Sequence, residues 1–291
     1  MARRTVPISG WIDTNALLVA LALIDFVAHL LVAGYYGYFR DELYYIAGGR
    51  HLAFGYVDFP PMIAVLAALM DALTADNLIA IHVVSAFAGS CLVVVAGLMA
   101  RELGGGRFAQ VLAALAALVT LVFMATASIF SMDILDALWW ALAALIILRL
   151  LSRQQPKLWL LFGVVAGVGL LTKLTMLFFG FALVIGLLLT PSRTYFRTRW
   201  FWLGGLIAVA MLLPYAAWNA ANGFPTLEFW RHYGGLTGGG PVSFLANQIV
   251  TLNPLTLPLT IAGLVFYFRA PDGKPYRMLG WTFAVLYALF T

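Results

Sequence analysis

Leu78-Ile-Ala-Ile-His-Val-Val-Ser-Ala-Phe-Ala-Gly-Ser-Cys-Leu-Val-Val-Val-Ala-Gly-Leu-Met-Ala100 runs for 23 residues without a Lys, Arg, Asp or Glu. A helix of about 20 apolar residues crosses the hydrocarbon core of a bilayer, so this stretch predicts a membrane span. Similar runs recur at about 15–34, 108–127, 134–151, 158–172, 174–190, 200–218, 252–269 and 279–291, giving nine expected spans. The whole chain follows this pattern, with 63% hydrophobic and 10% charged residues among 291. A soluble domain is about half apolar and about a quarter charged. The expected fold is therefore all-α, a polytopic transmembrane helical bundle forming one domain over 1–291. Its last apolar run, through Tyr287-Ala-Leu-Phe-Thr291, has no closing loop, and the chain reads as truncated at the C-terminus.

Charge placement predicts orientation. With the N-terminus inside, the inner segments hold Arg3, Arg4, Arg101, Arg107, Arg149, Arg153, Lys157, Arg193, Arg197, Arg199, Arg269, Lys274 and Arg277. That is 13 of the 17 basic residues, as the positive-inside rule requires. The net charge of +5 thus reads as a topology signal and not as a nucleic-acid footprint. The acids Asp41, Glu42, Asp58, Asp71, Asp76, Asp133, Asp136 and Glu228 fall on or near the outer side. Met1-Ala-Arg-Arg lacks a signal-peptide cleavage pattern, and the first apolar run is long enough to remain in the membrane. Cys91 is the only cysteine, which excludes an intramolecular disulfide.

The first outer segment, about 35–77, is rich in aromatics and leucine. A short helix is expected from Asp41 to Ala53, with Asp41 near its N-cap. Gly55-Tyr-Val-Asp-Phe-Pro-Pro61 breaks it, and Pro61 suits the first turn of a second helix too short to cross the bilayer. That second helix is expected to lie along the interface. A later outer segment, about 219–247, carries Gly223, Gly234, Gly235, Gly238, Gly239 and Gly240 and reads equally as a candidate lid or a plain connector.

Arg40-Asp41-Glu42-Leu43-Tyr44-Tyr45 is the cluster with most chemical content. Carboxylates at a membrane surface beside aromatic rings are costly and point to function. Adjacent helical residues point about 100° apart, so one of Asp41 and Glu42 faces a cavity while the other binds the protein. Arg50 and His51, in the same segment, are candidate phosphate donors of hydrogen bonds. Asp133 and Asp136 open the fourth span at a spacing that shares one helical face, and Asp133 is the next candidate carboxylate. Lys173, between two short spans, is placed to meet a lipid phosphate. Asp25 and His29, at i,i+4 inside the first span, read as a buried pair that locks helix packing. Glu228, Arg231 and His232 can pair locally.

The stretches Arg40-Asp-Glu-Leu-Tyr-Tyr45 and Gly49-Arg-His-Leu-Ala-Phe-Gly-Tyr-Val-Asp-Phe-Pro-Pro61 resemble the first outer loop of bacterial glycosyltransferase family 39. This group is related to protein O-mannosyltransferases and to the aminoarabinose transferase of lipid A. Asp133, Leu171-Thr-Lys-Leu-Thr-Met176 and Pro214-Tyr-Ala-Ala-Trp-Asn-Ala-Ala-Asn-Gly-Phe-Pro-Thr-Leu-Glu-Phe229 fit as well. The resemblance implies a GT-C fold in the plasma (inner) membrane, with a cytoplasmic N-terminus and a periplasmic or extracellular site. It implies transfer of a sugar from a polyprenyl-phosphate donor to a lipid, glycan or protein acceptor, with inversion. Asp41 matches the family's catalytic acidic position, and Glu42 its neighbour.

On this reading Asp41 is the general base, Asp133 binds sugar hydroxyls or orients the acceptor, and Arg50, His51 and Lys173 hold the donor phosphate. No cofactor is required, although a carboxylate pair can bind a divalent metal. The alternative is a transporter or flippase of polyprenyl-linked sugars. A one-sided charge cluster and the lack of an inverted repeat argue against it.

Overall fold

The computed structural model describes residues 8–75, 77–233 and 240–291, with side chains from residue 15 onward. Arg3, Arg4, Asp76, Gly234, Gly235, Gly238 and Gly239 fall outside these ranges, so the expectations for those residues lie outside the described part. Among the described residues the secondary structure is helical throughout.

The helices are α1 Ile8–Val32, α2 Arg40–Arg50, α3 Met62–Thr74, α4 Leu78–Glu102, α5 Arg107–Leu118, α6 Leu121–Ala127 and α7 Met132–Arg153. They continue with α8 Leu158–Thr172, α9 Met176–Leu188, α10 Arg199–Ala221, α11 Pro225–Tyr233, α12 Pro241–Thr251, α13 Leu257–Arg269 and α14 Arg277–Phe290. Short 3-10 turns at Pro191–Arg197, Pro254–Thr256 and Lys274–Tyr276 join some of them.

Among the described residues four helices are long and apolar enough to span a membrane, and three bent pairs raise the number to as many as seven. The expectation of nine regular spans is corrected in two ways. The expected run 108–127 is two helices, α5 and α6, bent by 61° at Val119–Thr120. The run 252–269 belongs to a longer unit in which α12 and the segment to Arg269 meet at 93°. The described residues of segment 219–247 contain α11 and the start of α12. Helix α8 has 15 residues, about 22 Å at 1.5 Å per residue, which is short of the roughly 30 Å hydrocarbon core.

Side-chain pairs fix the directions of the helices. Arg101 near the end of α4 donates to Asn15 near the start of α1 at 2.9 Å, and Ser90 donates to Asp25 at 3.1 Å. His82 near the start of α4 reaches the Ala33 carbonyl at 3.1 Å, so α1 and α4 run antiparallel. Helices α4 and α7 run parallel. The Ser131 amide donates to Ser85 Oγ at one end, and Glu102 binds Arg149 at 3.0 Å and Arg153 at 2.7 Å at the other. The bundle therefore has an acidic end, where α1 stops and α4 and α7 start, and a basic end around Glu102. The expected pair Asp25–His29 is buried, 3.5 Å apart, and is extended by Ser128 Oγ on His29 Nδ1 at 3.0 Å.

Helices α8 and α10 pack backbone to backbone. A Cβ on Gly163 would collide with the Gly204 carbonyl, and one on Gly204 with the Trp159 carbonyl. Small residues permit this approach, which suits packing in lipid, where no hydrophobic force drives helices together. Gly163→Ala is predicted to cost about 1–3 kcal/mol of stability through overpacking. Gly180→Ala in α9, where a Cβ meets nothing within 4 Å, should be close to neutral. Thermal unfolding of both variants in detergent checks the contrast.

Candidate active site

Helix α2 starts one residue before the expected position and stops three before it. Its N-cap is Phe39, and Asp41 lies in the first turn instead of at the cap. Glu42 is the reason. Its Oε2 accepts the Phe39 amide at 2.6 Å, closing the N-terminus of α2 from the inside. Its Oε1 accepts the Phe130 amide at 2.5 Å and faces His82 Nε2 at 2.7 Å. Glu42 is 0% exposed and His82 1%. Of the two adjacent acids, Glu42 is the one that binds the protein.

The hydrogen positions on His82 follow from its partners. Nδ1 faces the Ala33 carbonyl, which only accepts, so Nδ1 carries a hydrogen. One further proton then lies between Nε2 and Glu42 Oε1, on the ring or on the carboxyl group, and in both forms the pair is neutral overall. Tyr36 stacks on the ring at 5.7 Å between centroids and donates through its hydroxyl to the Ser128 carbonyl. Helix α1, helix α4, helix α2 and the turn before α7 are thus tied at one buried point.

The same tie sets the neighbours. Asp41, one residue before Glu42, is partly exposed and paired with Arg40 Nε at 2.9 Å. Arg40 is 87% exposed along its side chain, so this is a surface pair that costs little to break. Three residues after Phe130, Asp133 is oriented by Ser131, whose hydroxyl donates to Oδ2 at 2.9 Å and accepts from the Asp133 amide at 3.0 Å. Lys173, at the C-terminus of α8, donates to Asp133 Oδ1. Asp136, one turn along α7, accepts from the Thr175 hydroxyl at 2.5 Å.

Tyr45 marks where the acids converge. Burial raises its pKa, and the charges of Asp133, Asp41 and Asp58 raise it further, so all three carboxylates lie within electrostatic reach of one phenol. Tyr44 donates to Asp58 Oδ1 at 2.8 Å. Burial and that carboxylate push its pKa up to about 12, which keeps the phenol protonated as a donor. Phe59, fully buried, packs against Tyr44, Tyr45 and Tyr56 at 5.2, 5.3 and 4.5 Å and holds the segment after α2 in place. Helix α2 can lie this close to α3 because of Gly49, where a Cβ would sit 2.8 Å from the Ala68 amide.

Arg50 and His51 lie at the opposite end of α2 from Asp41. Nine residues separate Arg50 from Asp41, about 13 Å along the axis. Arg50 Nε is 4.0 Å from Asp71 Oδ2 of α3, and His51 is exposed. The structure therefore brings Asp41, Asp133 and Lys173 to one end of the bundle and sets Arg50 and His51 apart from them. Glu228 and His232 meet only locally, through His232 Nδ1 and the Glu228 carbonyl at 3.0 Å. Among the described residues no three His, Cys, Asp or Glu side chains are grouped to hold a metal ion.

Beneath the acidic cluster lies an apolar cavity of about 560 Å³ between α4, α6 and α7. Asp133, Asp136 and Thr175 stand among otherwise largely apolar lining residues. A second apolar cavity, of about 620 Å³, shares Ala96, Ala117 and Phe123 as lining residues with the first and is lined also by Leu103 and Tyr267. His82, the one ionisable side chain besides Cys91 in the 78–100 run, had no role in the sequence reading, although an ionisable group inside a span is a signal in itself. Breaking a buried pair by removing one partner costs about 3–5 kcal/mol. His82→Ala is expected to lose that much stability, and His82→Gln, which keeps a donor, distinctly less. Chemical or thermal unfolding of the two variants measures the difference.

A comparison with protein families matches residues 58–218 to the family described as dolichyl-phosphate-mannose-protein mannosyltransferase. This match covers 161 of the 291 residues, more than half of the chain, and includes Asp58, His82, Asp133, Asp136 and Lys173. Asp41 and Glu42 precede it. Comparisons with curated proteins and with solved structures gave no match. The family match bears out the resemblance to glycosyltransferase family 39 and agrees with an all-helical, multi-pass GT-C fold. The chain belongs to the dolichyl-phosphate-mannose-protein mannosyltransferase family.

Proposed function

We propose that this membrane glycosyltransferase moves a sugar from a polyprenyl-phosphate donor to an acceptor hydroxyl on the outer face of the membrane, with inversion at the anomeric carbon and Asp41 as general base. The observation that carries this reading is the junction of two environments. Two neighbouring apolar cavities suited to a prenyl chain, one of them lined by Asp133, lie at the end of the bundle where Asp133 holds Lys173 and where Asp41 stands.

The chemistry fits these groups. A prenyl phosphate leaves readily once its charge is neutralised, so no general acid is needed. Lys173 supplies a cation for that phosphate, an electrostatic contribution that is often the largest in catalysis. In the free protein Asp133 holds the ammonium group in place. Asp133 in turn is placed to accept from sugar hydroxyls or to orient the acceptor. Asp41 is held only by an exposed arginine and is free to accept the proton of the attacking hydroxyl. Arg50 and His51, about 13 Å away along α2, suit a second anionic group such as a neighbouring lipid headgroup better than the same phosphate.

Placement of the site outside the cytoplasm rests on the positive-inside rule, since the opposite end of the bundle carries Arg101, Arg149 and Arg153. The acceptor is a lipid, a glycan or a protein hydroxyl.

General base catalysis contributes about 10²–10⁴-fold. Asp41→Asn is therefore expected to lower kcat by at least about 100-fold while donor affinity stays near that of the parent protein. The measurement is transfer from a labelled polyprenyl-phosphate mannose by the purified chain, with donor binding assayed in parallel. Turnover retained in the variant rejects Asp41 as the base. Movement of the labelled lipid between leaflets without sugar transfer would favour the flippase reading instead.

A further inference from the structure

The two apolar cavities follow one stripe of α4. Leu92, Ala96 and Met99 line the first, and Ala96, Ala100 and Leu103 line the second. Both sets have the spacing i, i+4, i+7, which keeps residues on one helical face. The second set is displaced by four residues, about 6 Å along the axis, away from the acidic end. The first cavity is lined by Asp133, which holds Lys173, and the second by Gly105, at the basic end.

Three residues line both cavities: Ala96, Ala117 and Phe123. A residue that faces two neighbouring cavities stands in the wall between them, and Phe123 has the only bulky side chain of the three. The backbone holds it there. Ala117 precedes the 61° bend between α5 and α6, and Phe123 follows it. The Val119 carbonyl at the bend accepts from Asn253 Nδ2 at 3.0 Å, and the Thr120 hydroxyl donates to the Ala116 carbonyl at 2.7 Å. The Phe123 side chain also packs against the buried core.

Volume decides what such a wall does. At the packing density of a protein interior, a five-carbon prenyl unit fills roughly 120 Å³. The first cavity, of about 560 Å³, therefore takes about four or five units, and the two cavities together about twice that.

We infer that Phe123 sets the length of donor chain that the protein reads, its ring ending the space open to the prenyl units nearest the phosphate. Units beyond it lie in the bilayer. This assignment rests on the lipid-linked donor reading above. The hydrophobic effect alone does not measure chain length here, because a prenyl tail meets as apolar a medium in lipid as in the protein. The discrimination comes from close packing, a small gain per atom pair that accumulates over the units the cavity holds.

The test uses the full chain in lipid nanodiscs and a series of mannosyl phosphates with two, four, eight and eleven prenyl units, each scored by its concentration in the bilayer. In the parent protein, affinity should rise from two units to four and then level off. The readout is the ratio of the affinities for the eight-unit and two-unit donors, which cancels any general loss of folded protein. Phe123→Ala should raise that ratio about tenfold, and Phe123→Leu by part of that. An unchanged ratio in Phe123→Ala overturns the assignment, and so does a parent affinity that is flat or climbs steadily across the whole series. In both cases the donors still bind, and the lipid-linked donor reading stands. A parent protein that binds no member of the series overturns that reading and the assignment with it.

Discussion

One buried carboxylate holds the working end of this bundle together. Glu42 accepts from the Phe39 and Phe130 amides and shares a proton with His82. Each contact reaches a different element, and a carboxylate sealed at 0% exposure is tolerated only when its lone pairs are met. These three contacts meet the oxygens of the buried group and make the arrangement cooperative, because losing one leaves the rest around an unsatisfied oxygen. The result is a fixed relation between the segment that carries Asp41 and the turn that leads, through the Ser131 cap, to Asp133.

That constraint fixes a segment between the first two long apolar helices against the end of the bundle. Helices α2 and α3 are too short to span, yet Tyr45, Ile63, Ala64 and Ala67 pack into the same core as α4 and α7. Without an anchor they would be an interfacial hairpin with its acids in solvent. The Glu42–His82 pair, the Phe59 aromatic cluster and the close approach at Gly49 instead draw α2 onto the ends of α4 and α7. A second brace comes from α10, where Tyr215 bonds Thr226 at 2.8 Å and Thr226 reaches the Tyr56 carbonyl at 3.4 Å. The apolar cavities then begin where the charged groups end. A lipid-linked substrate needs both environments side by side, and the family match is in keeping with such a substrate.

Much of the fold was legible in the sequence because hydrocarbon solvent imposes one rule, that backbone groups must pair within the segment. Runs such as 78–100 and 134–151 could only be helices. The bend at Val119–Thr120 was hidden, since Thr120 sits in an apolar run and its hydroxyl satisfies the Ala116 carbonyl internally, at 2.7 Å. The acids were legible as a class through their one-sided placement. Which of Asp41 and Glu42 turns inward was not, because that depends on a partner 40 residues away in α4. Arg50 and His51 stand close to Asp41 in sequence, yet an intact helix keeps them at its far end.

The anchoring role of Glu42 is most directly measured by double electron–electron resonance between spin labels at the exposed positions Leu43 in α2 and Met124 in α6, with Cys91 replaced by serine. In the parent sequence the labels should give one narrow distance distribution. Glu42→Ala, in protein that still inserts, should broaden it as α2 separates from the Phe130 turn. A distribution of unchanged width and centre in Glu42→Ala would contradict the account, because α2 would then hold its place without the buried carboxylate.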